Sequence, residues 1–233
     1  WFPPMVGGIF YEHGHRMIAA TVGLMIVGLG VWLWRVEPRR WVRRLGYAAV
    51  GAVILQGLLG GLTVLLLLPP QVSIAHATLG PMVFCLIVCI AEATAPSWTA
   101  QLVCDGDAGR PSLQLMSFSA AMLAALQLVL GAILRHTGVG LAWHLTGAVC
   151  LLATWAWMMQ RIQQVQGVGR SIRSSAARLG WLLMLQLALG GLAWWHQAHV
   201  GVVTLHVGMG SLVLAQAVLL AWQSARDAEQ VTG

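Results

Sequence analysis

Residues 12–16 read EHGHR, a glutamate, two histidines and an arginine at the threshold of the apolar run MIAATVGLMIVGLGVWLW. Ionisable side chains are costly inside a bilayer and usually mark function where they occur. Neutral imidazole is a good ligand for iron, zinc and copper. The cluster is therefore either part of a metal or cofactor site or only the polar end of a helix, and the other histidines help to choose between these.

Four histidines that open apolar segments recur with the spacing of an internal repeat: His15, His76, His144 and His206. The first two are separated by 61 residues and the last two by 62. The segment LQGLLGGL at 55–62 returns as LQLALGGL at 185–192 and, more loosely, as LQLVLGAI at 126–133. Gln56 and Gln186 each lie twenty residues before one of these histidines. The register indicates two similar halves, each with a pair of histidines.

The elements that carry these residues are predicted to be membrane helices. The chain has 233 residues, of which 58% are hydrophobic and 9% charged, whereas about 25% of an ordinary soluble domain is charged. Several apolar runs exceed the roughly 20 residues that a spanning helix needs. The composition therefore predicts an all-α polytopic membrane protein. We predict seven spanning segments, at about 16–34, 45–68, 72–91, 113–134, 139–160, 178–195 and 200–222.

The basic residues indicate the orientation. All thirteen are arginines; the connection at 35–44 holds five of them and the one at 160–178 holds four. This is the positive-inside pattern of membrane proteins, so it argues against a nucleic-acid partner. The pattern predicts a multi-pass protein of a bacterial-type inner membrane, with a cytoplasmic C-terminus and all the histidines near the outer face.

The two halves meet in the connection between the third and fourth segments. We predict an N-terminal half-bundle at 1–95, a cytoplasmic linker at 96–112 and a C-terminal four-helix bundle at 113–233. The second half has four segments and the first has three, so a counterpart of the segment at 113–134 is expected ahead of residue 1.

The histidine pairs suit heme better than zinc. Zinc usually takes three or four protein ligands, whereas a heme needs only two axial ligands in an apolar slot between helices. We therefore interpret each pair as the axial ligands of one heme. Neighbouring glycines, such as those of the two GGL segments, would let a helix or a flat macrocycle approach closely, and ordinary helix packing explains them as well.

Further candidates lie at the same level of the membrane. Arg16 and Arg135 are candidates for contacts with heme propionates, with an interfacial role as the alternative. Glu12 lies three residues before His15 and shares its helix face, where a carboxylate can act in acid–base catalysis or serve only as a helix-end residue. Leu141 holds the equivalent position in the second half, which indicates one catalytic site and one cofactor site. Second-tier candidates are His13, His136 and His199.

These motifs resemble the heme A synthase family. The resemblance is carried by EHGHR after MVGGIFY, SIAHATLG at 73–80, LRHTGVGLAWHLTGA at 134–148 and TLHVGMG at 204–210, and it covers essentially the whole chain. It implies a fold of two pseudo-symmetric four-helix bundles, with seven of the family's eight helices in this chain and the first one missing. It also implies the family's reaction, oxidation of the C8 methyl group of heme O to a formyl group, which yields heme A for terminal oxidases.

The resemblance further implies the roles of individual residues. His15 and His76 would flank the substrate heme, His144 and His206 would ligate a heme b cofactor, and Glu12 matches the catalytic glutamate. The expected partners are heme O, heme O synthase, terminal-oxidase assembly factors, the lipid bilayer and a second copy of the chain in a homo-oligomer.

Two other functions are open. A diheme b-type cytochrome would pass electrons between quinol and a partner, but its hemes would be expected in both leaflets, whereas all candidate ligands map to one. A transporter with inverted repeats is disfavoured because a four-helix repeat makes the halves parallel.

Overall fold

The computed structural model describes residues 8–99, 111–165, 167–196 and 199–232. Within these ranges the regular structure is helical, with seven helices long and apolar enough to cross a membrane. The prediction of an all-α polytopic membrane protein is therefore confirmed. A short 3-10 helix at Pro96–Thr99 follows the third long helix. The seven helices are α1 (Gly8–Val36), α2 (Arg40–Leu65), α3 (Pro70–Thr94), α4 (Leu113–Thr137), α5 (Leu141–Gln164), α6 (Arg170–Trp195) and α7 (Val200–Thr232).

The apolar segments form helices because the chain folds in a lipid bilayer. Hydrocarbon offers no partners to backbone N–H and C=O groups, so each spanning segment must satisfy them internally. Each of the seven spans contains 24 to 27 residues, more than the roughly 20 that the hydrocarbon core requires. Large apolar side chains are exposed on their outer faces, among them Leu24, Trp32 and Leu65, as lipid contact demands.

Helix ends differ from the predicted segments where charge or proline intervenes. Helices α2 and α6 begin at Arg40 and Arg170, ahead of the predicted starts at 45 and 178, because arginine is a good helix former although it lowers hydropathy. Helix α2 ends at Leu65, and Leu67 and Leu68 have φ angles of 58° and 63°. The prolines that follow disfavour helical backbone before them.

Helix α1 begins at Gly8, so the EHGHR cluster lies inside the helix and not at its threshold. The polar residues are therefore presented on the surface of a regular helix, with the i, i+3 and i, i+4 neighbours that such a helix creates.

The chain separates into two compact units, Trp1–Ala93 and Thr94–Gly233. In the first unit α1 packs on α2 through small residues: a Cβ atom added to Gly46 would lie 3.0 Å from Cδ1 of Leu33. Such residues allow close approach of membrane helices.

In the second unit α4 packs against α5 and α7, and α6 packs against α5 and α7. Ala120 and Ala176 are fully buried in this bundle. A buried hydrogen bond of 2.7 Å from Oγ of Ser175 to Oε1 of Gln223 also joins α6 to α7. These contacts hold the four helices of the second unit together and so fix the positions of His144 on α5 and His206 on α7.

Candidate functional site

In the first unit the structure brings His15 and His76 together. His15 lies on α1 and His76 lies in the second turn of α3. Their ring centres are 6.3 Å apart, and the ring planes cross at 84°. His15 is exposed and His76 is half-buried, so the pair opens to one side of the unit.

In the second unit His144 and His206 form a pair with the same geometry. His144 lies in the first turn of α5 and His206 in the second turn of α7. Their ring centres are 6.4 Å apart, and the planes cross at 76°. The two repeat-related pairs therefore have nearly the same separation and orientation.

The distance between the two ring centres of each pair fits one metal ion between two imidazoles. Metal–imidazole bonds are about 2.0–2.1 Å long, and a ring centre lies about 1.1 Å from its nitrogen, so two imidazoles on opposite sides of one metal have centres about 6.2–6.4 Å apart. Across the described residues, no three His, Cys, Asp or Glu side chains gather as a metal cluster. Two imidazoles suit a heme iron, whose other ligands come from the macrocycle.

The neighbouring helix fixes the orientation of His76. Nδ1 of His76 lies 3.2 Å from the backbone oxygen of Gln56 on α2. With a proton on Nδ1 this is a hydrogen bond to the carbonyl, and Nε2 is then the unprotonated nitrogen that can bind a metal. Hydrogen bonds to the nitrogen that does not bind the metal orient histidine ligands in metal sites. The Gln56 side chain also donates from Nε2 to the backbone oxygen of His76, over 3.0 Å.

The other two half-buried histidines, His144 on α5 and His206 on α7, have less complete bonding. Nδ1 of both histidines has no partner within the described residues. Nε2 of Gln186 instead lies 3.4 Å from Nε2 of His206.

These glutamines are not among the residues predicted from the sequence to form the sites. The signal was present, because Gln56 and Gln186 keep the same twenty-residue distance from a histidine.

Glu12 is paired with Arg16 on the surface of α1. Nη2 of Arg16 lies 2.9 Å from Oε1 of Glu12, and the two side chains are 51% and 56% exposed. Glu12 precedes His15 by three residues on the same helix, so the two residues are neighbours on one face of α1. In the second unit Leu141 holds that position, and the C-terminal pair has no such acid.

The remaining candidates are Arg135, His136, His199 and His13. Arg135 and His136 are exposed in the last turn of α4. His199 is exposed before α7, and His13 is half-buried on α1. Contacts of Arg16 and Arg135 with propionates stay predictions.

Comparison with known proteins places the chain in a family. Residues 7–143 match the family described as cytochrome oxidase assembly protein, COX15-CtaA. Over 141 residues, 56% of the chain, the sequence is 34% identical to a protein named heme A synthase from Symbiobacterium thermophilum. Over 50 residues, 21% of the chain, it is 42% identical to a protein named heme A synthase from Alkalihalophilus pseudofirmus. The matched segments cover 44% and 17% of those relatives, less than half the length of either.

Proposed function

The chain belongs to the COX15-CtaA family of cytochrome oxidase assembly proteins, and from this premise we propose that it is a heme A synthase. It oxidises the C8 methyl group of heme O to a formyl group and so makes heme A for terminal oxidases. One observation carries the proposal: each unit presents two histidine rings at the separation that a single iron requires. The names of the two relatives support the same activity.

The two sites have different roles in this proposal. His15 and His76 hold the substrate heme, because Glu12 lies three residues before His15. None of the other three paired histidines has an acidic residue three positions before it. His144 and His206 hold a heme b cofactor, in surroundings with no matching carboxylate. The N-terminal pair has an acid–base group and the C-terminal pair has none, so we assign the reacting heme to the first and the electron-transfer heme to the second.

Glu12 is the proposed catalytic residue. Bound heme supplies an iron centre that exchanges electrons. Oxidation of a methyl group to a formyl group also releases protons from the reacting carbon, and a positioned carboxylate can accept one. The ion pair with Arg16 holds the carboxylate on the face of α1 that carries His15. An exposed pair of this kind is weak enough to rearrange when a substrate arrives.

The arginine distribution supports an inner-membrane location with the C-terminus in the cytoplasm and the histidine pairs near the outer face. Heme O then reaches the N-terminal pair from within the bilayer, supplied by heme O synthase. The product leaves towards the assembly of terminal oxidases.

A conversion assay tests this function. The chain is expressed in a bacterial host that makes heme O but has no heme A synthase of its own, and extracted hemes are separated by chromatography. We expect heme A to appear, and to be absent from the host alone. A host that accumulates only heme O, although the chain is present in its membranes, contradicts the proposal.

A further inference from the structure

Three helix pairs share one reciprocal contact between a glutamine and a histidine. In each pair the first helix carries a glutamine followed four residues later by a glycine. The second helix carries a histidine followed three or four residues later by another glycine. The three sets are Gln56 and Gly60 with His76 and Gly80, Gln127 and Gly131 with His144 and Gly147, and Gln186 and Gly190 with His206 and Gly210.

The first glycine of each set lies directly under the imidazole. A Cβ atom built on it would lie 3.0, 3.2 and 3.0 Å from Cε1 of the histidine in the three sets, in chain order. Nine in ten real Cβ contacts are longer than these. Any larger residue would therefore move the ring that faces the metal position.

The second glycine of each set lies under the glutamine side chain. A Cβ atom on Gly80 or Gly210 would lie 3.2 Å from Nε2 of the facing glutamine, and one on Gly147 would overlap with Nε2 of Gln127. The histidine thus packs on the glutamine helix while the glutamine packs on the histidine helix. This reciprocal contact fixes both the spacing and the register of the two helices.

The glutamines are not explained by packing alone. Each of them leaves one buried amide atom without a partner within the described residues, namely Oε1 of Gln56, Nε2 of Gln127 and Oε1 of Gln186. A buried polar atom without a hydrogen bond costs free energy, and an apolar residue of similar size avoids that cost. A glutamine at this place therefore indicates a role towards the histidine.

We propose that these glutamines and the glycines four residues after them are positioning residues for the axial imidazoles. The glycine sets the place and rotation of the ring. At His76 the backbone oxygen of Gln56 receives Nδ1–H and leaves Nε2 for iron. At His206 the contact is made by the side chain, with Nε2 of Gln186 lying 3.4 Å from Nε2 of the imidazole. The inference rests on the proposed function, because it takes each of the three histidines as a heme ligand.

The crossing angle of the imidazole planes, 84° and 76° in the two pairs, gives the inference a spectroscopic readout. In a ferric low-spin heme the largest EPR g value depends on the angle between the planes of the two axial imidazoles. A change that rotates one ring shifts this signal even where the heme stays bound. A merely structural defect lowers the amount of folded protein and leaves the position of the signal unchanged.

The test compares Gly190→Ala with Gly208→Ala in the purified full chain. A Cβ on Gly190 meets His206, whereas one on Gly208 meets nothing within 4 Å, so the second variant is the matched control. We expect Gly190→Ala to shift the EPR signal of the C-terminal heme and to weaken heme binding about 10- to 100-fold, the usual loss when a residue that orients a metal ligand is changed. The control should keep the wild-type spectrum. Gly60→Ala against Gly51→Ala repeats the comparison for the N-terminal heme.

Gln186→Leu provides the second variant, since leucine removes the amide whose Nε2 lies 3.4 Å from Nε2 of His206 and should leave the fold intact. We expect a shifted signal and weaker heme retention here too, and this variant decides the question if Gly190→Ala fails to fold. Wild-type heme content and wild-type EPR spectra in both variants would overturn the inference. Wild-type protein that binds no heme at all would instead overturn the proposed function, so the two failures are distinguishable.

Discussion

Replacement of Glu12 by glutamine separates catalysis from stability. The substitution keeps the shape of the side chain and removes its charge and its proton-accepting capacity. It also removes the ion pair with Arg16, whose 2.9 Å contact joins side chains that are both more than half exposed. The magnitude of each loss can be set from the structure.

The ion pair accounts for little of the free energy of unfolding. Exposed i, i+4 pairs on helices contribute about 0.3–0.5 kcal/mol, so the thermal midpoint of Glu12→Gln should lie close to that of the wild type. Loss of a general acid–base group costs about 10²- to 10⁴-fold in rate, which is about 3–5 kcal/mol in the activation barrier. The expected catalytic loss exceeds the stability loss by roughly tenfold, so the two cannot be confused.

The assay measures heme A formed per folded chain in membranes that contain heme O. We expect Glu12→Gln to form heme A at least about 100-fold more slowly, with heme content unchanged. Glu92→Gln is the matched control, because Glu92 lies about 24 Å further along α3 from His76, at 1.5 Å per residue. Heme A formation by Glu12→Gln above about a tenth of the wild-type rate would refute the catalytic assignment.

Three further predictions follow from other parts of the structure. His206→Ala removes one of the two proposed heme ligands of the C-terminal pair, so on the proposed function absorbance spectra should lose the heme b bands while the heme of the N-terminal unit stays bound. Loss of both hemes or of neither would contradict independent sites. Gly180→Ala places a Cβ 2.6 Å from Cε2 of Trp155. Overpacking of this kind lowers the free energy of unfolding by about 1–3 kcal/mol. A thermal midpoint at or above that of the wild type would contradict the close packing of α5 on α6. Hydrogen bonds from Arg39 lower the pKa of Glu37 from 4.5 to about 2, so the pair stabilises the fold above about pH 4.5 and that contribution is lost as the pH falls towards 2. The thermal midpoint of the wild type should therefore exceed that of Glu37→Gln at neutral pH, and a difference that stays constant from about pH 6 down to about pH 2 would contradict the lowered pKa.

The spacing of residues was enough to predict the helices and the histidines that pair. Apolar runs of this length have one stable backbone conformation in a bilayer, so the number of helices follows from hydropathy. The repeat placed His15 with His76 and His144 with His206, because corresponding positions in similar helix bundles lie at corresponding depths. Which pair holds which heme stays a prediction of the proposed function.

The sequence could not reveal the local packing around the rings. Gln56 and Gln186 share a twenty-residue distance to their histidines, but Gln127 lies only seventeen residues before His144. The structure explains the difference: α5 begins three residues before His144, whereas α3 and α7 begin six residues before theirs. Register along the helices, and not distance along the chain, decides which side chains meet.

The ion pair of Glu12 was missed for a related reason. The hydropathy of the sequence predicts the first spanning segment from about residue 16, and Arg16 is there a candidate for a propionate contact or an interfacial residue. In the structure α1 already begins at Gly8, so residues 12 and 16 are neighbours on one helical face and their opposite charges pair. A helix start inside a polar stretch is poorly marked by hydropathy.

The most direct test of the account is the identity and number of hemes in the purified wild-type chain. A pyridine-hemochrome spectrum gives the amount, and chromatography of the extracted hemes gives their chemical type. The account predicts heme b together with heme O or heme A, one in each unit. Two equivalents of heme b with neither heme O nor heme A would instead indicate a diheme cytochrome, and absence of any heme would contradict the assignment of the histidine pairs.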